Sequence, residues 1–280
     1  MDYLELCCVP HAGQHITELL ISRLAEIGFE SFEEGETELR AYIPIVDFTE
    51  HVKAQLSTSD FKKLLISSET KRIPDQNWNA VWESAYEPVT IAENCRVRAP
   101  FHDKLPGIEF DIMIEPKMSF GTAHHETTQL MMKYLLETEL THKSLLDMGS
   151  GTGVLAILAC MKGAAPVTAI DNDEWAFNNA VENVNNNKPG LIQVLLGDSS
   201  LLEDRHFEVI LANINRNILL NDIPVYRKCL MPEGLLILSG FYEEDLPMIT
   251  RKAIESGLSP VSSKTENRWT ASAYCVSVEN

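Results

Sequence analysis

A chain of 280 residues is long enough for two domains and buries ample core without disulfide or metal staples. Hydrophobic residues at 45% and charged residues at 23% are the balance of an ordinary globular protein and exclude a mainly disordered one. Forty-one acidic against 23 basic side chains give a formal net charge of -18, a surface that repels phosphate backbones and anionic membranes and draws basic proteins or sulfonium and ammonium ligands. The excess is uneven: residues 1–90 carry 16 acidic and 7 basic side chains and residues 91–280 carry 25 and 16, a net of -9 in each part.

Tyr3 to Val9 reads as a strand, and Ile16, Leu19, Leu20, Leu24 and Ile27 stand at helical spacing in a segment closed by Gly28. Phe29 to Glu33 and Glu38 to Pro44 read as a hairpin around Gly35. A helix over about Phe48 to Leu56 and a strand near Leu64 to Ser68 follow, completing the order of a small α+β ferredoxin-like domain over residues 1–70. Residues 71–90 read as a linker helix. Its aromatic stripe, Trp78, Trp82 and Tyr86, docks a helix against a domain more readily than it cages a methylated cation.

Residues 91–280 read as a second domain. Strand-like pieces at Thr90 to Val97 and Ile108 to Ile114 lead into Phe120 to Thr128 and an amphipathic helix to about Leu140. Strand and helix signals then alternate: Leu145 to Asp147, Leu155 to Met161, Val167 to Asp171, Glu174 to Asn186, Gln193 to Leu196, Val209 to Asn213, Ile223 to Leu230 and Leu235 to Leu238. Strands with little polar alternation between helices imply a mostly parallel, doubly wound sheet covered on both faces.

The six cysteines (Cys7, Cys8, Cys95, Cys160, Cys229, Cys275) lack the paired spacing of a zinc site and read as reduced, mostly buried thiols. No metal site is expected. The longest apolar run, Val154 to Met161, falls far short of the roughly 20 residues that span a bilayer. Residues 1–20 carry Asp2 and Glu5 and no basic n-region, so no signal peptide is expected and the location is cytoplasmic.

The chemistry is concentrated in Leu145-Leu146-Asp147-Met148-Gly149-Ser150-Gly151-Thr152-Gly153, an apolar strand entering a glycine turn before an apolar helix. A dinucleotide site would place its third glycine at position 154, which is Val154; here it is Gly153, a tighter turn suited to a nucleoside without a pyrophosphate. Gly149 and Gly151 let a ligand approach the backbone. The next strand ends in Asp171, where ribose hydroxyls can donate, and the following one in Asp198, able to accept from an adenine amine. A further buried strand ends in Asn213. Singly, Asp171 or Asp198 could be a helix cap and Asn213 a turn residue; together they converge on one crevice at the carboxyl edge of the sheet.

These residues resemble the class I S-adenosylmethionine-dependent methyltransferases. Phe120-Gly121-Thr122-Ala123-His124-His125-Glu126-Thr127-Thr128 is similar to the signature of the ribosomal protein L-11 methyltransferase (PrmA) family, normally Phe-Gly-Thr-Gly, any residue, His, any residue, Thr-Thr. The order of small domain, Trp-bearing linker and Rossmann-like core extends the resemblance over nearly the whole chain. It implies a cytoplasmic enzyme that uses S-adenosylmethionine to methylate lysine side chains and an α-amine of a basic ribosomal protein, L-11, without binding nucleic acid or membrane. The family's cofactor contacts fall on Thr128, Gly149, Asp171 and Asn213, and Ala123 departs from the signature glycine.

Methyl transfer to an amine needs a neutral lone pair, whereas a free lysine has a pKa of about 10.4 and an α-amine about 8. The strand end at Asn213 to Asn215 can accept hydrogen bonds from the amine, and apolar surroundings lower its pKa further. His125 is the candidate general base, weighed against a capping role. Trp269 reads as core rather than as a substrate contact. Two rivals remain at this stage. A nucleic-acid base methyltransferase would usually follow the asparagine with Pro-Pro-aromatic, and here Ile214-Asn215 follows. A non-catalytic nucleotide-binding protein would keep the fold without turnover.

Overall fold

Alternate residues of Tyr3–Pro10 (β1) are buried, so Leu4, Leu6 and Cys8 share one face of the strand. They join Leu39, Ala41 and Ile43 of β3 (Leu39–Pro44) under the helices Gln14–Glu26, Glu50–Leu56 and Ser59–Lys62, through Leu20, Leu24, Val52 and Phe61. With β2 (Ser31–Glu34) and β4 (Leu65–Ile73), the sheet runs β2-β3-β1-β4 with every pair antiparallel, the ferredoxin-like order. The computed structural model describes residues 2–11, 14–35, 37–73, 86–117 and 120–276 and divides the chain into two units, Met1–Tyr86 and Glu87–Asn280. Trp78 and Trp82 lie outside the described residues. β4 extends to Ile73, beyond the strand expected near Leu64 to Ser68, because an edge strand with exposed polar side chains lacks the buried alternation that marks a strand in sequence.

In the second unit, the single strand expected over Thr90 to Val97 is a hairpin of β5 (Val89–Ile91) and β6 (Cys95–Arg98), turned at Ala92 with φ +54°. β7 (Phe110–Met113) lies parallel to β6. Arg98 is buried there, its Nε donating to both carboxylate oxygens of Asp111 at 3.1 and 2.9 Å and its Nη1 to the His102 carbonyl at 3.0 Å.

The large sheet contains β8 (Leu145–Met148), β9 (Val167–Asp171), β10 (Ile192–Leu196), β11 (Phe207–Asn213), β12 (Leu230–Tyr242), β13 (Leu258–Glu266) and β14 (Trp269–Val276) in the order β10-β9-β8-β11-β12-β14-β13. β8 to β12 are parallel and β14 runs against both its neighbours. Consecutive residues of the central strands feed opposite cores, which is why β8, β9 and β11 are mostly apolar. Leu145, Val209, Leu211 and Ile237 pack toward the helices Glu126–Glu137 and Val154–Met161. Leu146, Ile210, Ala212 and Leu236 pack toward Arg216–Cys229 and Leu246–Glu255.

The helix Arg216–Cys229 starts well before the Ile223 expected, because Asn221, Asp222 and Pro224 interrupt the apolar pattern that Ile218, Leu219 and Leu220 begin. On the helix Glu174–Asn187, Asn183 and Asn187 face β7 at helical spacing. Asn183 Oδ1 accepts from the Glu115 N–H at 2.9 Å and its Nδ2 donates to the Thr152 carbonyl at 3.0 Å, while Asn187 Oδ1 accepts from the Met113 N–H at 2.8 Å. These amides tie the segment after β7 to the glycine turn.

Candidate active site

The order of the large sheet reverses at β8, which has β9 on one side and β11 on the other, so a crevice opens at the carboxyl ends of these strands. Gly149 and Ser150 donate their N–H groups to the Ile170 carbonyl at 2.8 and 3.0 Å, turning the chain sharply across the end of β9. Gly149 (φ +70°) and Gly151 (φ +54°) occupy the left-handed region, and a Cβ on either would run into Ile214 or into the Phe120 carbonyl. That carbonyl accepts from the Thr152 N–H at 2.9 Å, and Thr152 Oγ1 donates to the Gly121 carbonyl at 2.6 Å. The Phe-Gly-Thr segment and the glycine turn are therefore one interlocked structure.

A cleft of about 680 Å³ lies over this turn. Its lining includes Gly149, Gly151, Asp171, Asn213 and His125, so five of the expected site residues meet in one place. Asp171 Oδ2 accepts from the Gly151 N–H at 2.8 Å and Oδ1 from the Asp173 N–H at 3.0 Å, leaving each oxygen a lone pair for a further donor. Trp175, 84% exposed, and Ile218 form apolar rims.

Asn213 donates from Nδ2 to Thr128 Oγ1 at 3.4 Å, and its Oδ1 is buried with no partner. Thr128 is buried behind Asn213, outside the lining, and acts on the cleft by orienting that amide. Asp198 also stands outside the lining. It is exposed and caps the turn Ser199–Leu202, its Oδ1 accepting from the Ser200 N–H at 2.9 Å.

His125 caps the helix Glu126–Glu137: its Nδ1 accepts from the Thr127 N–H at 3.2 Å, which places the ring proton on Nε2 and makes the outer nitrogen a donor. The ring lies 4.7 Å from Trp269, edge to face, and 5.2 Å from Phe120. Trp269, expected in the core, lines the cleft and stacks on Tyr242 at 4.0 Å. It is half-buried at the start of β14, where a hairpin tip reaches the crevice. Ala123 has φ +66° and a fully buried methyl group, so the signature's glycine position carries an L-residue at a cost on the order of 1 kcal/mol.

Beneath the turn, Asp147 Oδ2 accepts from the Ala156 N–H at 3.1 Å while Oδ1 is buried without a partner. Burial, with a smaller contribution from the Asp171 charge, pushes its carboxyl up to about 7. The folded protein then keeps this proton where the unfolded chain, with a pKa of about 3.9, gives it up. Its contribution to stability is complete below about pH 4 and is lost as pH rises through about 7. Asp147→Asn is expected to gain on the order of 5 °C in melting temperature relative to wild type between pH 5 and pH 8. A pH-independent difference in thermal scans would contradict this.

A switch-point crevice with a glycine turn, an edge carboxylate and an unpaired edge amide defines a class I methyltransferase. The sequence model of the family described as ribosomal protein L11 methyltransferase (PrmA) matches residues 14–275. A ribosomal protein L11 methyltransferase of Porphyromonas gingivalis is 49% identical over 91% of this chain and 89% of its own, and one of Bacteroides fragilis is 44% identical over 97% and 98%. The crystal structure of ribosomal protein L11 methylase from Lactobacillus delbrueckii subsp. bulgaricus, 28% identical, covers 68% of this chain and 98% of its own with a TM-score of 0.64. The chain belongs to the ribosomal protein L11 methyltransferase family. Among the described residues no helix is long and apolar enough to cross a membrane, and no cluster of His, Cys, Asp and Glu could hold a metal ion.

Proposed function

We propose that the protein acts in the cytoplasm to transfer methyl groups from S-adenosylmethionine to amino groups of ribosomal protein L11, on lysine side chains and the α-amine. The observation that carries this reading is the family match over residues 14–275, and within the cleft it is supported by Asn213, a lining residue whose buried Oδ1 has no partner. A buried acceptor without a donor is costly, and an amine supplies the missing donor.

The cleft fits the cofactor. About 680 Å³ suits a nucleoside-sized molecule, the lone pairs of Asp171 suit two ribose hydroxyls, and the glycines let the turn pack tightly against Ile214 and Phe120 at the base of the cleft. When bound, S-adenosylmethionine supplies an electrophilic methyl group on a sulfonium that departs as a neutral thioether. Asp171 anchors the nucleoside end, and Gly149 and Gly151 admit it against the backbone. Asn213, fixed by Thr128, accepts an N–H bond from the target amine and aims its lone pair. Phe120 and Trp269 give that amine an apolar environment, which favours its neutral form. His125 contributes its ring as a wall and Nε2–H as a donor. Positioning of this kind supplies roughly 7–11 kcal/mol without a covalent intermediate.

For the basic substrate, the open face of the first unit's sheet displays Glu5, Glu33 and Glu69 against Arg40 and Lys71, a balance that supports docking weakened by salt. Incubation with labelled S-adenosylmethionine and purified ribosomal components is expected to place label on L11 amines, located by mass spectrometry. Label found only on nucleic acid would refute the protein target.

A further inference from the structure

A second hollow of about 480 Å³ adjoins the cleft and shares Asn215, Gly240 and Trp269 with it. Its own walls are Tyr242, Arg216 and Asp245. Trp269 is common to both spaces: its ring stacks on Tyr242 at 4.0 Å with planes 30° apart, and His125, which lines the cleft, lies 4.7 Å from it. At the mouth, Arg216 Nη1 donates to Asp245 Oδ1 at 2.8 Å, and Asp245 is only 14% exposed. The adjoining Glu244 receives Arg268 Nη2 at 3.0 and 2.9 Å, and the Arg268 guanidinium lies 5.6 Å over the Tyr242 ring. Arg216, the arginine that lines the hollow, is thus neutralised by Asp245, and Arg268, beside Tyr242 but outside the lining, is neutralised by Glu244.

In-line displacement requires the amine to approach from the side opposite the leaving group. The acceptor therefore needs a route other than the space taken by the nucleoside. The second hollow shares wall residues with the cleft and combines an aromatic plane with a lining whose one arginine is neutralised by Asp245, which together suit a linear alkyl arm ending in an ammonium. We propose that this hollow is the passage through which the acceptor lysine reaches Asn213, with the Tyr242–Trp269 stack as its wall and Asp245 holding Arg216 so that its charge does not oppose the incoming cation. The proposal rests on the cleft being the cofactor site.

Asp245 is a positioning residue, and its loss is read in substrate affinity. With purified L11 as substrate, Asp245→Asn is expected to raise KM about five- to tenfold, with kcat and affinity for S-adenosylhomocysteine retained and the effect fading as salt rises. Adding Arg216→Gln to that variant is expected to restore KM while the melting temperature stays the same in all three proteins, a readout that a merely structural role for the pair would move. Tyr242→Ala is expected to raise KM, and Tyr242→Phe to leave it unchanged. An unchanged KM in both Asp245→Asn and Tyr242→Ala, or no recovery in the double variant, would overturn the passage. Failure of the underlying site is seen separately, as wild-type enzyme that does not bind S-adenosylhomocysteine.

Discussion

Asn213→Ala is expected to lower kcat on the order of a hundredfold while affinity for S-adenosylhomocysteine changes little. Asn213 lines the cleft and its buried Oδ1 has no partner in the protein, whereas the nucleoside's anchor at Asp171 does not involve it, so removing the amide leaves that anchor in place. What is lost is the acceptor that orients the amine, and misplacing a reacting group by about 1 Å costs on the order of 10²-fold in rate. Asn213→Asp separates orientation from charge. The carboxylate still accepts the hydrogen bond but stabilises the ammonium form of the lysine, so activity falls at neutral pH and the optimum moves to higher pH. Equal kcat in wild type and Asn213→Ala, measured at saturating L11, would remove Asn213 from the reaction.

The largest stability effect is expected at Asp111. Its carboxylate is the partner of Arg98, whose side chain is only 5% exposed, and the remaining guanidinium bonds go to backbone carbonyls that carry no charge. Removing the acid from a buried pair leaves an uncompensated cation and costs about 3–5 kcal/mol. For a unit of this size Asp111→Ala is expected to lower the melting temperature by roughly 10 °C. Replacing both partners by apolar residues of similar volume, Arg98→Met with Asp111→Leu, is expected to recover most of that loss, since no buried charge remains. A single variant as stable as wild type in thermal unfolding would show the pair to be solvated.

The parts of the site legible in sequence are those where backbone geometry and residue type coincide. Fully apolar strands must be buried on both faces, so their ends had to form a sheet edge, and the residues at three of those ends, Gly149, Asp171 and Asn213, line the cleft. Asp198 shares the strand-end pattern but bonds its own turn, a choice set by local geometry that no spacing reveals. Trp269 packs against the core as its spacing predicts and also lines the cleft, a second contact that periodicity does not reveal, since a half-buried aromatic at a strand start has the same spacing whether its open side meets solvent or a ligand. The interlock of Phe120 with Gly151 joins segments far apart in the chain through a backbone carbonyl, which leaves no side-chain signature. The Asn183 and Asn187 bridges to the segment after β7 were hidden for a different reason: asparagine in a helix usually reads as solvated surface, and here Asn183 is fully buried. The start of Arg216–Cys229 is hidden by Asn221 and Pro224, which break its apolar spacing, although Asn215 accepts from the Ile218 N–H as an N-cap.

The central claim is that the ends of β8, β9 and β11 form the cofactor site with Asp171 as its anchor. Calorimetric titration of wild type and Asp171→Ala with S-adenosylhomocysteine tests it most directly. Loss of charged hydrogen bonds worth about 1.5–3 kcal/mol is expected to weaken binding roughly 10- to 150-fold in a variant that remains folded by circular dichroism. Equal affinity in the two proteins would contradict the assignment.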